Sequence, residues 1–187
     1  MWSKIAEVCV TICTLFSCFC LCLSCDENKM KTQLEQLRSK TVQIPYDEML
    51  WLSDTGYSYG VKQKQTEYTM VIYVDSSECT PCAFKTLYAW NSILDVEKEK
   101  SLKFIFIVDA KNSNLLDIQN MYNSSMLEHE IFVDTSGIFA YKNSHIPENK
   151  LFHSFLLNDR QEVVFVGAPI HGEKMKRLFY KRIEHSY

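Results

Sequence analysis

One apolar run, YTMVIYV at Tyr68 to Val74, does most to limit the folds open to this chain. It is rich in β-branched and aromatic residues and lacks the polar alternation of a half-exposed strand, so it predicts a strand buried on both faces. Directly after it, apolar residues recur near a period of 3.6 from Cys79 to Glu99, which predicts a helix. A buried strand that leads straight into a helix is typical of an α/β layer architecture.

The rest of the chain continues this alternation. The polar tetrapeptide NDRQ between the last two apolar runs predicts a hairpin, and Pro45 ends a predicted edge strand. Residues 46–66, with two glycines among tyrosines, predict a loop or hairpin. We predict strands at 41–45, 102–108, 130–133, 151–157 and 162–166, and helices at 114–122 and 173–183. This order predicts an α/β fold with a mixed central β-sheet flanked by helices.

The cysteines are distributed unevenly. Eight are present, and all but Cys79 and Cys82 lie within the first 25 residues. That segment has Lys4 near its start, an apolar stretch from residue 8 to 23, and then Ser24, which is the pattern of a secretory signal. The stretch is shorter and more polar than the roughly 20 apolar residues of a membrane span. We therefore expect a signal peptide at residues 1–24, with a signal anchor as the alternative.

The end of this leader, Cys22-Leu23-Ser24-Cys25, resembles a bacterial lipobox. The resemblance implies lipidation of Cys25 and an extracytoplasmic location on a bacterial membrane, either periplasmic or at the outer membrane. Residues 25–40 are then a polar tether or short helix, and residues 41–187 form one domain. The formal charge of −3 gives no reason to expect a nucleic-acid partner.

The C-T-P-C motif places two thiols at the predicted start of a helix. Unpaired N–H groups there stabilise a thiolate, so Cys79 is the expected nucleophile. Cys82, one turn further and more buried, is the expected resolving thiol, and Pro81 is tolerated in a first helical turn. An inert structural disulfide, a metal site and a peroxidase cysteine are the alternatives. We expect no metal, because no second group of ligands has suitable spacing, and Ala83 stands where haem attachment needs histidine.

The segment SSECTPCAFK after VIYVD resembles the active-site segment of the thioredoxin superfamily, in particular its membrane-tethered extracytoplasmic redoxin (TlpA-like) lipoproteins. The later segment FHSFLLNDRQEVVFVGAPI resembles their final hairpin. The resemblance covers about residues 41–187 and implies a thioredoxin-like fold. It also implies thiol-disulfide oxidoreductase activity without a cofactor, with protein or small-molecule disulfides and dithiols as partners.

The chain departs from that pattern at three places. Glu78 replaces the usual tryptophan, and its carboxylate opposes a thiolate at Cys79. The position of the family's cis-proline falls near Phe152 or His153. No acid stands at Tyr73 or Val74, which makes Asp75 the nearest candidate for moving protons to Cys82.

These departures leave two further questions open. His153 is expected opposite the dithiol, where it could act on protons or favour the thiolate; a histidine without such a role is the alternative. For the whole protein, the alternative function is a non-catalytic binding module of thioredoxin fold that keeps a structural disulfide.

Overall fold

The computed structural model describes residues 27–60, 65–77 and 80–184. The chain divides into two compact units, Met1–Gln36 and Leu37–Tyr187. The described part of the first unit is helical and belongs to helix α1 (residues 27–38). The predicted signal peptide and Cys25 lie outside the described residues. Within the described ranges, no helix is both long and apolar enough to cross a membrane.

The second unit is built on one seven-stranded sheet in the order β2-β1-β5-β4-β3-β6-β7. β3, β4 and β5 run parallel at its centre, and antiparallel strands extend it on both sides. The strands are β1 Leu50–Ser53, β2 Gly56–Ser58, β3 Tyr68–Val74, β4 Leu102–Asp109, β5 Ile131–Asp134, β6 Ser154–Leu157 and β7 Val163–Val166. The predicted mixed central sheet is confirmed.

Helices flank this sheet. They are α2 Thr80–Leu87, α3 Asn91–Leu94, α4 Val96–Glu99, α5 Leu115–Ser125, α6 Ile138–Lys142 and α7 Glu173–Glu184, with short 3₁₀ turns at Tyr46–Glu48, Tyr88–Trp90 and Lys150–Phe152. On one face, Phe84, Ile118 and Phe179 from α2, α5 and α7 join the main apolar core. On the opposite face, Phe139 of α6 packs its ring 4.9 Å from that of Tyr73.

The predicted burial of β3 is confirmed, since all seven of its residues are buried. It lies between β4 and β6, so its edges are paired as well as its faces covered. Trp90 is 3% exposed and contacts Phe104 and Phe106 edge-on. This dense packing fixes the position of the carboxyl end of β3.

The predicted edge strand at residues 41–45 is wrong, because this segment is not part of the sheet. Its backbone groups have partners of another kind. The Val42 N–H donates to the Gln161 carbonyl, and the Asn143 side chain both accepts from the Gln43 N–H and donates to the Gln43 carbonyl. Because Asn143 is buried and takes the place of a neighbouring strand, the segment needs no sheet partner.

The single helix predicted over residues 79–99 is also wrong in detail. The segment is helical but is divided into α2, a 3₁₀ turn, α3 and α4. The Thr86 and Ser92 hydroxyls donate to carbonyls three residues back. Such local bonds compete with the regular helical ladder, and a period of 3.6 in the sequence does not register them.

Asp134, at the end of β5, fixes the start of α6. Its carboxylate is 0% exposed and accepts from the backbone N–H groups of residues 136–139, at 2.8–3.1 Å. Gly137, with φ of +74°, lets the chain turn tightly enough for all four donors to reach it. The position of α6 therefore depends on one buried carboxylate.

Candidate functional site

Cys82 lies in the first turn of α2, immediately beyond the carboxyl end of β3. It is exposed, and its burial relative to Cys79 stays a prediction, because Cys79 lies outside the described residues. The buried face of α2 is formed by Ala83, Phe84 and Leu87, which leaves the positions of Pro81 and Cys82 turned to solvent. Glu78, Cys79 and the side chain of Thr80 lie outside the described residues. The roles assigned to Cys79, Cys82, Glu78 and Pro81 remain predictions.

Asp75 shapes the turn that follows β3 and precedes the C-T-P-C motif. Its Oδ1 accepts from the Ser77 backbone N–H at 2.8 Å and from the Ser77 hydroxyl at 2.6 Å. These bonds form a turn of the kind that aspartate favours just after a strand. Asp75 thus lies in the turn before the cysteines, and its Oδ2 faces His153.

His153 lies beside this turn, at the start of β6. The Tyr73 N–H donates to the His153 carbonyl at 2.8 Å, because β6 pairs antiparallel with β3. The imidazole is 4% exposed; its Nδ1 is 3.7 Å from Asp75 Oδ2, and its Nε2 is 3.0 Å from the Pro147 carbonyl. His153 also lines a cavity of about 190 Å³ together with Ala83 and Thr86 of α2. His153 thus lies close to α2, and its predicted position opposite the dithiol stays a prediction, because Cys79 lies outside the described residues.

Asp109 is a residue that sequence reasoning missed. It ends β4, is 6% exposed, and its Oδ2 accepts from the Tyr73 hydroxyl at 3.5 Å. Burial, together with Asp109, Asp75 and Asp134, raises the pKa of Tyr73 well above its ordinary value, so this phenol stays protonated. The site therefore has a buried acid, but it comes from the neighbouring strand instead of from β3.

A signal for these acids exists in the sequence. Each of the three central strands is followed or ended by the same dipeptide, Val-Asp, at 74–75, 108–109 and 133–134. Parallel strands bring their carboxyl ends to one edge of a sheet, which is where ligands bind in α/β folds. Asp75, Asp109 and Asp134 therefore share the edge from which α2 begins.

A larger cavity of about 570 Å³ opens at this edge. Tyr73, Asp75, Asp109 and His153 line one part of it, and Pro147 and Glu148, from the loop after α6, line another. Ser76 and Ser77, which directly precede Glu78 and Cys79 in the sequence, also line it. The volume is within the range of small-molecule sites. No peptide bond in the described ranges is cis.

Comparison with solved structures identifies the fold. The thiol:disulfide interchange protein assigned as DsbE in Chlorobium tepidum superposes with a TM-score of 0.53 at 16% identity, covering 77% of this chain and 97% of that one. The bacterioferritin comigratory protein of Xanthomonas campestris gives 0.52 at 13% identity, with coverage of 79% and 98%. The chain has a thioredoxin-like fold.

A third structure, peroxiredoxin Q of Xanthomonas campestris, gives a TM-score of 0.51 at 13% identity, and the superposition covers 79% of this chain and 100% of that one. No protein-family model matches the sequence, and no curated protein matches it either. At these identities the similarity establishes only the fold, so the activity of the protein has to be inferred from its own residues.

Proposed function

We propose that this protein is a thiol-disulfide oxidoreductase held by an N-terminal lipid on the extracytoplasmic side of a bacterial membrane. The observation that supports this best is the position of Cys82. It is exposed on the first turn of a helix that follows the central buried strand of a thioredoxin-like sheet. A thiol near a helix start benefits from the unpaired N–H groups there, and Cys82, three residues after Cys79, is placed to attack a mixed disulfide formed on Cys79.

The proposed reaction needs only the two sulfurs of this chain. The Cys79 thiolate attacks one sulfur of a partner disulfide and forms a mixed disulfide, and the other partner sulfur leaves as a thiolate that takes up a proton. The Cys82 thiol then loses its proton and attacks the Cys79 sulfur, which releases the second partner sulfur as a thiol. The partner gains two electrons, and Cys79 and Cys82 end as a disulfide. The reverse sequence oxidises a partner dithiol.

The surrounding residues supply proton acceptors for these steps. Asp75 is in the turn that precedes the dithiol segment, and its carboxylate is close to the His153 imidazole. Asp109 is held by Tyr73 on the inner side of the same cavity. In this proposal Asp75 and His153 take up and return the proton of the resolving thiol, while Glu78 makes the Cys79 thiolate less stable than a neutral residue would.

The reduction potential of the Cys79–Cys82 pair tests this function. The full-length protein is equilibrated with glutathione or dithiothreitol buffers, with Cys79→Ser and Cys82→Ser as controls. A reversible potential between roughly −120 and −270 mV is expected for a redox catalyst. A potential below about −300 mV, or a pair that reacts only in denaturant, would show instead a structural disulfide in a non-catalytic binding module.

Membrane anchoring is tested separately. We expect Cys25 to carry lipid after cleavage of residues 1–24, and Cys25→Ser to release the protein from the membrane fraction. Mass spectrometry of the purified N-terminus gives the answer directly. An unprocessed N-terminus on membrane-bound protein would favour a signal anchor instead.

A further inference from the structure

The cavity of about 570 Å³ that Ser76 and Ser77 line is rich in hydrogen-bond acceptors. Three carboxylates line it, those of Asp75, Asp109 and Glu148, and the described part of its lining includes no lysine or arginine. Lys142, the last residue of α6, lies between the cavity-lining residues Ala140 and Asn143 in sequence and is ion-paired with Glu48. Glu148 is exposed and forms no ion pair with any residue that the structure describes. The negative charge of this cavity is thus left open to a ligand.

His153 adds an acceptor of a different kind. Its side chain is 5% exposed, and its Nε2 lies 3.0 Å from the Pro147 carbonyl, which can only accept. When the ring is neutral, this carbonyl places the proton on Nε2 and leaves a lone pair on Nδ1. Among the described residues Nδ1 has no hydrogen-bond partner, and the 3.7 Å to Asp75 Oδ2 is too long for one.

A buried acceptor without a partner is costly unless a ligand or water supplies a donor. Here the open acceptors are Nδ1 of His153 and Oδ2 of Asp75, which lie side by side. A group that carries several N–H donors and a positive charge satisfies both at once. The guanidinium of arginine has five such donors in a plane, and an ammonium has three.

We infer that this cavity is a recognition subsite for a cationic side chain, arginine above all, next to the cysteine of the partner. The inference rests on the proposed oxidoreductase function, because it names the substrate class of the same dithiol. Ser76 and Ser77 line the cavity and lead directly into residues 78–79. A partner whose cysteine meets the dithiol can therefore place a neighbouring basic residue in the subsite. The favoured substrates are disulfides flanked by basic residues.

The first test compares exchange rates. The reduced full-length protein is mixed with disulfide-linked dimers of a short peptide with arginine beside its cysteine, and with the same dimer carrying citrulline, a neutral isostere. We expect the second-order rate constant of this single exchange to be about fivefold higher for the arginine peptide at low salt, as for a partly exposed charge pair, and the preference to fall as salt rises. Equal rates for the two peptides would overturn the inference.

Substitutions in the protein show which carboxylates cause the preference for the arginine peptide. Glu148→Gln and Asp75→Asn should each lower the arginine-to-citrulline ratio about threefold. Asp159→Asn, which removes one exposed carboxylate from the β6–β7 turn, should leave the ratio unchanged. The ratio is informative because a variant that merely slows the dithiol lowers both rates together. A ratio that Asp159→Asn lowers as much as Glu148→Gln would show a long-range charge effect and overturn the subsite.

A second test does not depend on redox activity. The cysteine-free peptide acetyl-Gly-Arg-Gly-amide is titrated into the full-length protein while the His153 imidazole signals are followed by NMR. We expect shifts at His153 that are absent with the citrulline peptide and weaker in Glu148→Gln. Binding at His153 without exchange of any disulfide would refute the proposed function and leave the subsite standing. Exchange without binding at His153 would refute the subsite alone.

Discussion

The Asp134→Asn substitution tests the claim that one buried carboxylate fixes helix α6. In the best orientation, the amide oxygen replaces Oδ1 and keeps its bonds to the N–H groups of residues 136–138. The amide nitrogen then replaces Oδ2 and faces the Phe139 N–H, which loses a bond of 2.8 Å and is left buried. A hydrogen bond to a charged group contributes roughly 1.5–3 kcal/mol, and a stranded buried donor costs about 1–3 kcal/mol.

Since these two magnitudes describe the same lost bond from different reference states, they are not added. Loss of charge also weakens the four bonds that remain at Oδ1, from three backbone N–H groups and the Ser136 hydroxyl, so we expect a loss of about 2–4 kcal/mol in the free energy of unfolding. Urea denaturation followed by circular dichroism measures it, and Asp159→Asn is the matched exposed control. A loss below about 1 kcal/mol, with an unchanged dependence on urea, would refute the assigned role of Asp134.

Two further predictions concern stability. Burial lowers the pKa of His129, but Glu97 and Glu130 outweigh burial and raise it overall, so the folded state favours the charged ring. His129→Gln should therefore cost most stability below about pH 6 and progressively less as pH rises through the folded pKa, and denaturation curves at pH 5.5 and 8 should differ accordingly. Gly167→Ala should lower the free energy of unfolding by about 1–3 kcal/mol, because φ is +123° and the new Cβ would lie 3.0 Å from Met175. Gly172→Ala introduces only the backbone strain, since its new Cβ would have no neighbour within 4 Å. Equal losses at both glycines would argue against the Met175 contact.

Much of the fold could be predicted from the sequence. The strand at 68–74 and the hairpin around NDRQ follow from local patterns, which a single chain segment carries in full. The helix predicted at 173–183 is also observed, as α7. The failures are equally specific. Residues 41–45 have strand-like composition but are paired by a side chain 100 positions away, and no local pattern contains that partner.

The site divides in the same way. By itself, the sequence determined the dithiol motif and its place after a buried strand, because these depend on neighbours in the chain; His153 was singled out only through the resemblance to the thioredoxin superfamily. Only the tertiary structure decided that Asp109 meets Tyr73, that His153 faces Asp75, and that Cys82 is exposed. Such contacts depend on strand order and on which helix face is buried. Both are fixed by packing among segments far apart in sequence, so they become visible only when the sheet is assembled.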